Sequence, residues 1–146
     1  MSSLTALIDA IPASKRHDWD VDGDEIRVVT RGGGRGQTIH ISTVGEMYVL
    51  TSVVLGTRAV TKSHKRWRRL ALLAWQRNAE HQLVTFAFDR HDRLVGMIEH
   101  PAKYLDPEEL ELYVNALARE CDRFEYLLTG SDLYERNAGL RDSPIV

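Results

Sequence analysis

Residues 83–130 constrain the fold more than any other part of the chain. They contain two apolar runs joined by Asp89-Arg90-His91-Asp92, followed by an Asp-Pro-Glu-Glu motif and a long amphipathic stretch. Bulky residues alternate along the first run, which is typical of a strand with one buried face. We therefore predict a β-hairpin whose three-residue loop ends with Asp92 in the left-handed conformation.

A long helix is predicted to begin directly after the cap residue Asp106. This residue can cap the free amides, Pro107 suits the first helical position, and Glu109 stands where a capping box needs it. Apolar residues then recur at spacings of three and four as far as Gly130, a plausible stop, and predict a stripe that packs on the sheet. The stripe consists of Leu110, Val114, Leu117, Cys121, Phe124 and Leu128. Cys121, the only cysteine of the sequence, is therefore expected to be a buried hydrophobic side chain.

The N-terminal half predicts a short helix and three strands. Leu4, Leu7, Ile8 and Ile11 share one helical face, which ends near Pro12. Residues 14–24 are expected to form a connector in which Trp19 contacts the core. The strands are predicted at residues 25–30, 37–44 and 47–55, with a mobile Gly-rich loop between the first two.

Gly45-Glu46 suits a two-residue turn, and this turn fixes the register of the hairpin. It pairs Val44 with Met47 and Ile41 with Leu50. One face then carries Ile39, Ile41, Tyr48, Leu50 and Val54, whereas the other carries Val44, Met47, Val49 and Val53. Because the second face is also apolar, something is expected to cover it. The cover is either the chain's own second helix, or a dimer partner or bound polypeptide, and both interpretations remain open.

The second long helix is predicted over residues 62–80. Trp67, Leu70, Ala71 and Ala74 form one stripe, with Leu72 and Trp75 at its flank. Much of the remaining surface is basic, notably Lys65, Arg66, Arg68 and Arg69, and could bind an acidic polypeptide, nucleic acid or lipid. We prefer an ordinary amphipathic helix whose cations pair with the acidic last helix, because the net charge of the whole chain is −2.

Neither metal, cofactor nor catalytic chemistry is predicted. The acidic residues at positions 18–24 do not have the spacing of a calcium loop, and the Gly-rich loop at residues 31–36 has neither the following helix nor the Lys-Ser/Thr ending of a phosphate loop. The six histidines show no metal-ligand spacing. With no apolar run long enough to span a bilayer, we expect a cytoplasmic protein with no membrane partner.

The predicted order of elements and several local segments resemble the YbjN domain family, which is grouped by fold with the class I type III secretion chaperones. The resemblance lies in Asn78 at the end of the middle helix, the hairpin at residues 86–95, and residues 105–110 and 118–122 of the last helix and its start. Asp92 stands where the family usually has Gly, and His91 stands where the turn often has Asp.

The resemblance implies an α+β fold with an antiparallel sheet in the order α-βββ-α-ββ-α. The length of the chain predicts one domain over residues 1–130, and the polar, aperiodic residues 131–146 predict a flexible tail. The resemblance also implies a homodimer that binds partner polypeptides and has no known catalytic residues. The candidate residues for peptide or dimer binding are Met47, Val49, Val53, Trp67 and Trp75. We therefore predict a non-enzymatic chaperone-like or adaptor domain. The alternative is a regulatory domain that binds nucleic acid through Lys65, Arg66, Arg68 and Arg69.

Overall fold

A computed structural model describes residues 3–29, 36–80 and 83–129. These ranges contain α-helices, two short 3-10 turns and a six-stranded sheet with the strand order β1-β2-β3-β4-β6-β5. In chain order the elements are α1 (Leu4–Asp9), a 3-10 turn (Ala13–Lys15), β1 (Trp19–Asp22), β2 (Glu25–Val29), β3 (Gly36–Val44), β4 (Met47–Leu55), α2 (Thr57–Val60), α3 (His64–Glu80), β5 (Thr85–Phe88), β6 (Leu94–Pro101), a second 3-10 turn (Ala102–Tyr104) and α4 (Pro107–Thr129). The predicted α+β class and order of elements are confirmed, with β1 and α2 as additions.

Strand β1 lies within the segment that we predicted to be a connector, so that prediction was wrong over residues 19–22. β1 pairs with β2 in antiparallel register, with Trp19 opposite Val28 and Asp22 opposite Glu25. Gly23 allows the turn because its φ is +64°, in the left-handed region. The strand has little apolar alternation because most of its side chains are exposed. Trp19 is half-buried, and its Nε1–H donates to Asn115 Oδ1 at 3.1 Å.

The chain divides into two compact units. The first unit comprises Met1–Ser52 and Met97–Arg119, and the second comprises Val53–Gly96 and Glu120–Val146. The single domain expected over residues 1–130 stays a prediction. The expected tail at 131–146, the stop at Gly130 and most of the Gly-rich loop lie outside the described residues.

The first unit confirms the predicted β3–β4 register. Val44 lies opposite Met47 and Ile41 opposite Leu50, and Gly45 takes a φ of +61° in the turn. The predicted core face is buried, together with apolar side chains of α1 and the first half of α4. The buried residues of this unit include Leu7, Ile8, Ile11, Ile26, Ile39, Ile41, Tyr48, Leu50, Leu110, Val114 and Leu117.

The capping box predicted at the start of α4 is present in the first unit. Asp106 Oδ1 accepts from the Glu109 N–H at 2.7 Å, and Glu109 Oε1 accepts from the Asp106 N–H at 3.3 Å. Two donors that a helix leaves unpaired at its start are thus satisfied by side chains. The cap explains why α4 begins at Pro107, where the sequence predicted it.

In the second unit, helix α3 is fixed to strand β5 by one side chain. Asn78 Nδ2 donates to the Phe86 carbonyl at 2.9 Å, and Asn78 Oδ1 accepts from the Phe86 N–H at 2.7 Å. The Phe86 ring packs edge-on against Phe124, with the centroids 4.8 Å apart. Cys121 is buried, as predicted. The turn before β6 is also as predicted, with Asp92 at a φ of +58°.

Candidate functional site

The candidate site begins with the second face of the β3–β4 hairpin in the first unit, which we call the open sheet face. It carries three cross-strand pairs, Val44 with Met47, Ser42 with Val49, and His40 with Thr51. Val44 is 61% exposed, and Met47 and Val49 are half-buried. Alternation along each strand places these side chains opposite the buried core residues. An apolar row that the described residues leave accessible to solvent is typical of an interaction surface.

The open sheet face binds mainly through its side chains. Both β3 and β4 have a neighbouring strand on each side, which engages most of their backbone amides and carbonyls, although the register of β3 with β2 ends at His40. A partner strand could be added at an edge strand, such as β1 in this unit. A partner on the open sheet face would therefore contact mainly apolar side chains. The hydroxyls of Ser42 and Thr51 lie beside these side chains on the same face.

His40 lies at one end of the open sheet face, close to two acidic side chains. Its ring nitrogens lie 4.0 Å from an Asp24 carboxylate oxygen and 3.8 Å from a Glu25 carboxylate oxygen. All three side chains are about half exposed, so their mutual attraction is weak. The open sheet face is therefore polar at this end, with two acidic side chains beside it.

The other predicted binding residues belong to the second unit. Trp67 is 39% exposed, and its ring centroid lies 5.6 Å from that of Phe88 and 6.0 Å from that of His64. Trp75 is 67% exposed. Leu72 is 54% exposed and lies three residues before Trp75, so the two side chains are neighbours on the helix surface. Val53 is also exposed.

Two accessible apolar residues were missing from the predicted site, although the sequence contained signals for both. The turn at Gly45 placed Val44 on the same face as Met47, and the helical spacing placed Leu72 beside Trp75. The buried residues of α3 are Arg66, Leu70 and Ala74, whereas the predicted stripe was Trp67, Leu70, Ala71 and Ala74. Arg66 thus takes the inward position that was predicted for Trp67, and Trp67 remains accessible.

The four basic residues of the nucleic-acid hypothesis do not share one exposed surface. Lys65, Arg68 and Arg69 are exposed, whereas Arg66 is 8% exposed. The Arg66 Nε–H donates to the Ala59 carbonyl at 2.9 Å, and burial lowers the pKa of its guanidinium. Nucleic-acid binding therefore stays a prediction that depends on three accessible cations.

Within residues 3–29, 36–80 and 83–129, no three metal-ligating side chains converge on one point. No helix in this part of the chain combines the length and the apolar character needed to cross a bilayer.

Comparisons with known proteins find this fold among solved structures. No family model and no curated protein matches the sequence. Among solved structures, a chain of the ExsC–ExsE complex is 18% identical with a TM-score of 0.55, and the match covers 87% of this chain and 97% of that one. This is the fold of YbjN and the type III secretion chaperones.

Two further structures agree with that fold. A chain of the heterodimeric ExoU–SpcU complex from the type III secretion system of Pseudomonas aeruginosa has a TM-score of 0.52 at 15% identity, with coverage of 84% of this chain and 95% of that one. YbjN from E. coli has a TM-score of 0.52 at 13% identity, with coverage of 85% and 88%. The resemblance inferred from the sequence is thus confirmed at the level of the fold.

Proposed function

We propose that this protein is a non-catalytic, chaperone-like domain that binds a partner polypeptide on the open sheet face. The observation that carries the proposal is the accessible row formed by Val44, Met47 and Val49 opposite a fully buried core face. The fold supports it, because the similar chains include members of two protein–protein complexes, ExsC–ExsE and ExoU–SpcU.

The mechanism is capture of apolar side chains of an unfolded segment. Burying one aliphatic side chain contributes about 1.5–3 kcal/mol, so a few such contacts support binding even after the ordering of the segment is included. While the segment is bound, its apolar residues are shielded from other chains, which prevents aggregation. No bond is made or broken, so the activity requires neither a nucleophile nor a metal.

The proposal is tested by affinity capture from a native lysate of the source organism, with wild type and a Met47→Glu/Val49→Glu variant as baits. We expect wild type to retain a specific protein that the variant loses, because two carboxylates would have to be buried in the interface. The matched control is Tyr104→Glu/Leu112→Glu, which adds the same charge at two exposed apolar residues of the first unit. Circular dichroism verifies that each variant is folded.

The control variant must retain the partner as wild type does. If all three baits retain the same proteins, the open sheet face is not the binding surface. Repeating the capture at high salt separates the two functional classes, because phosphate-led binding weakens steeply with salt whereas apolar contact does not. Retention of nucleic acid that disappears at high salt would favour the alternative through Lys65, Arg68 and Arg69.

A further inference from the structure

A second candidate binding site lies in the second unit, where α2 and the start of α3 border a cavity of about 530 Å³. This volume is within the range of sites for small molecules, about 300–1,000 Å³. The cavity is lined by Leu55, Gly56, Arg58, Ala59, Lys62, Arg66 and Thr129. None of the candidate residues on the open sheet face belongs to it, so the cavity is a separate site.

The lining combines apolar walls with positive charge. Leu55, Gly56 and Ala59 are apolar, while Arg58, Lys62 and Arg66 provide three cations. Among the described residues that line the cavity, none is acidic. A ligand that complements these walls therefore needs both a negative charge and an apolar body.

Arg66 gives the strongest indication of an anion. It is 92% buried, since only 8% of its surface is exposed, and its Nε–H donates to the Ala59 carbonyl. A guanidinium has five N–H donors, and within the described residues Arg66 makes no ion pair. Burial also lowers the pKa of this guanidinium, because the charged form is partly desolvated. A partly desolvated cation with no counter-ion among the described residues is destabilised, and a bound anion would offset that destabilisation.

We propose that this cavity binds a small carboxylate with an apolar chain, of the medium-chain fatty acid type. The two terminal nitrogens of Arg66 present paired donors that suit the two oxygens of a carboxylate. Arg58 and Lys62, both exposed, add positive charge around the cavity. The apolar chain of the ligand contacts Leu55 and Ala59. The site is independent of the proposed capture of polypeptides.

The test is a titration of the full chain with octanoate, followed by the amide NMR signals of Gly56 and Ala59. We expect saturable shifts of these two signals. Inorganic phosphate lacks the apolar body and octylammonium has the wrong charge, so we expect each to bind about tenfold more weakly or worse. Equal binding of octanoate and octylammonium, or no shift of either amide at millimolar octanoate, would overturn the proposal.

Variants identify the cation that matters. Arg66→Gln should weaken octanoate binding about tenfold or more, because it removes the buried charge-assisted hydrogen bonds. Arg68→Gln, an exposed position on the same helix, is the matched control and should bind as wild type. If Arg66→Gln does not fold, Arg58→Gln/Lys62→Gln replaces it, since both side chains are exposed. Undiminished binding in the folded variants would also overturn the proposal.

Discussion

At the scale of single residues, Asp89 organises the turn between β5 and β6. Its Oδ1 accepts from the His91 and Arg93 amides, each at 2.9 Å, and its Oδ2 accepts from Arg93 Nε at 2.8 Å. Burial by itself raises the pKa of this carboxyl, but the hydrogen bonds and the charge of Arg93 outweigh it, so the pKa lies below its ordinary value. The carboxylate form is thus the one that stabilises the turn.

We expect Asp89→Asn to lower the free energy of unfolding by about 1–3 kcal/mol at neutral pH, because three hydrogen bonds to a charged acceptor are weakened. A depressed folded-state pKa gives stability that is complete above the unfolded-state pKa of about 3.9 and is lost as the pH falls through the folded-state value. Urea unfolding from pH 7 to pH 2 should therefore show the difference from wild type shrinking at low pH. A difference that stays constant to pH 2 would contradict this account, and Asp20→Asn, on exposed β1, is the control.

Asp92 is the second residue of interest in this turn, because its φ of +58° lies where side chains other than Gly are disfavoured. We expect Asp92→Gly to raise the free energy of unfolding by up to about 1 kcal/mol, since relief of the left-handed strain exceeds the added flexibility of the unfolded chain. Thermal unfolding measures the change. Arg90→Gly is the control and should give no gain, because the positive φ lies at Asp92. A destabilised Asp92→Gly would show that the strain is already relieved by the Asp side chain.

At the scale of elements, the predictions succeeded where a side chain or turn acts locally. Gly45 fixed the register of β3 and β4, and the Asp106–Glu109 capping box fixed the start of α4. Strand β1 was missed because its side chains are mostly exposed and show no alternation. The inward face of α3 was misjudged because Arg66 occupies a position that composition assigns to the surface. Burial of a cation depends on tertiary surroundings that local patterns do not contain.

The contact between α3 and β5 is the element-level feature most open to test. Asn78 replaces a missing strand partner by pairing with both backbone groups of Phe86. We expect Asn78→Ala to lower the free energy of unfolding by about 2–4 kcal/mol, because both groups lose their partner. Hydrogen exchange at the Phe86 amide should accelerate in parallel. Gln76→Ala, at an exposed position two residues earlier, should change stability by less than about 0.5 kcal/mol. Equal effects of the two variants would contradict the role of Asn78.

At the scale of the whole molecule, the sequence predicted an apolar second sheet face but left its cover open. The structure shows that Val44 remains largely exposed in a single copy of the chain, and helix α3 of the second unit likewise exposes Leu72 and Trp75. Which of these surfaces meets a partner depends on contacts with other molecules. Periodicity along one chain reports only which side chains lie together, so the partner of each surface was beyond sequence reasoning.

We expect the protein to be a homodimer in which α3 meets its own copy through Leu72 and Trp75. Trp is enriched among the residues that anchor interfaces, and a two-fold contact would bury Trp75 and the neighbouring Leu72 on both copies. Sedimentation equilibrium at micromolar concentration should give twice the monomer mass for wild type and the monomer mass for Leu72→Glu/Trp75→Glu. Because both side chains are more than half exposed, circular dichroism should stay unchanged in this variant.

Tyr104→Glu/Leu112→Glu is the control and should remain dimeric, since charge alone does not separate the copies. A concentration of about 100 µM lies well above the dissociation constant of a stable interface, so a wild type that is monomeric there would contradict the dimer. If Leu72→Glu/Trp75→Glu remains dimeric, the interface lies elsewhere.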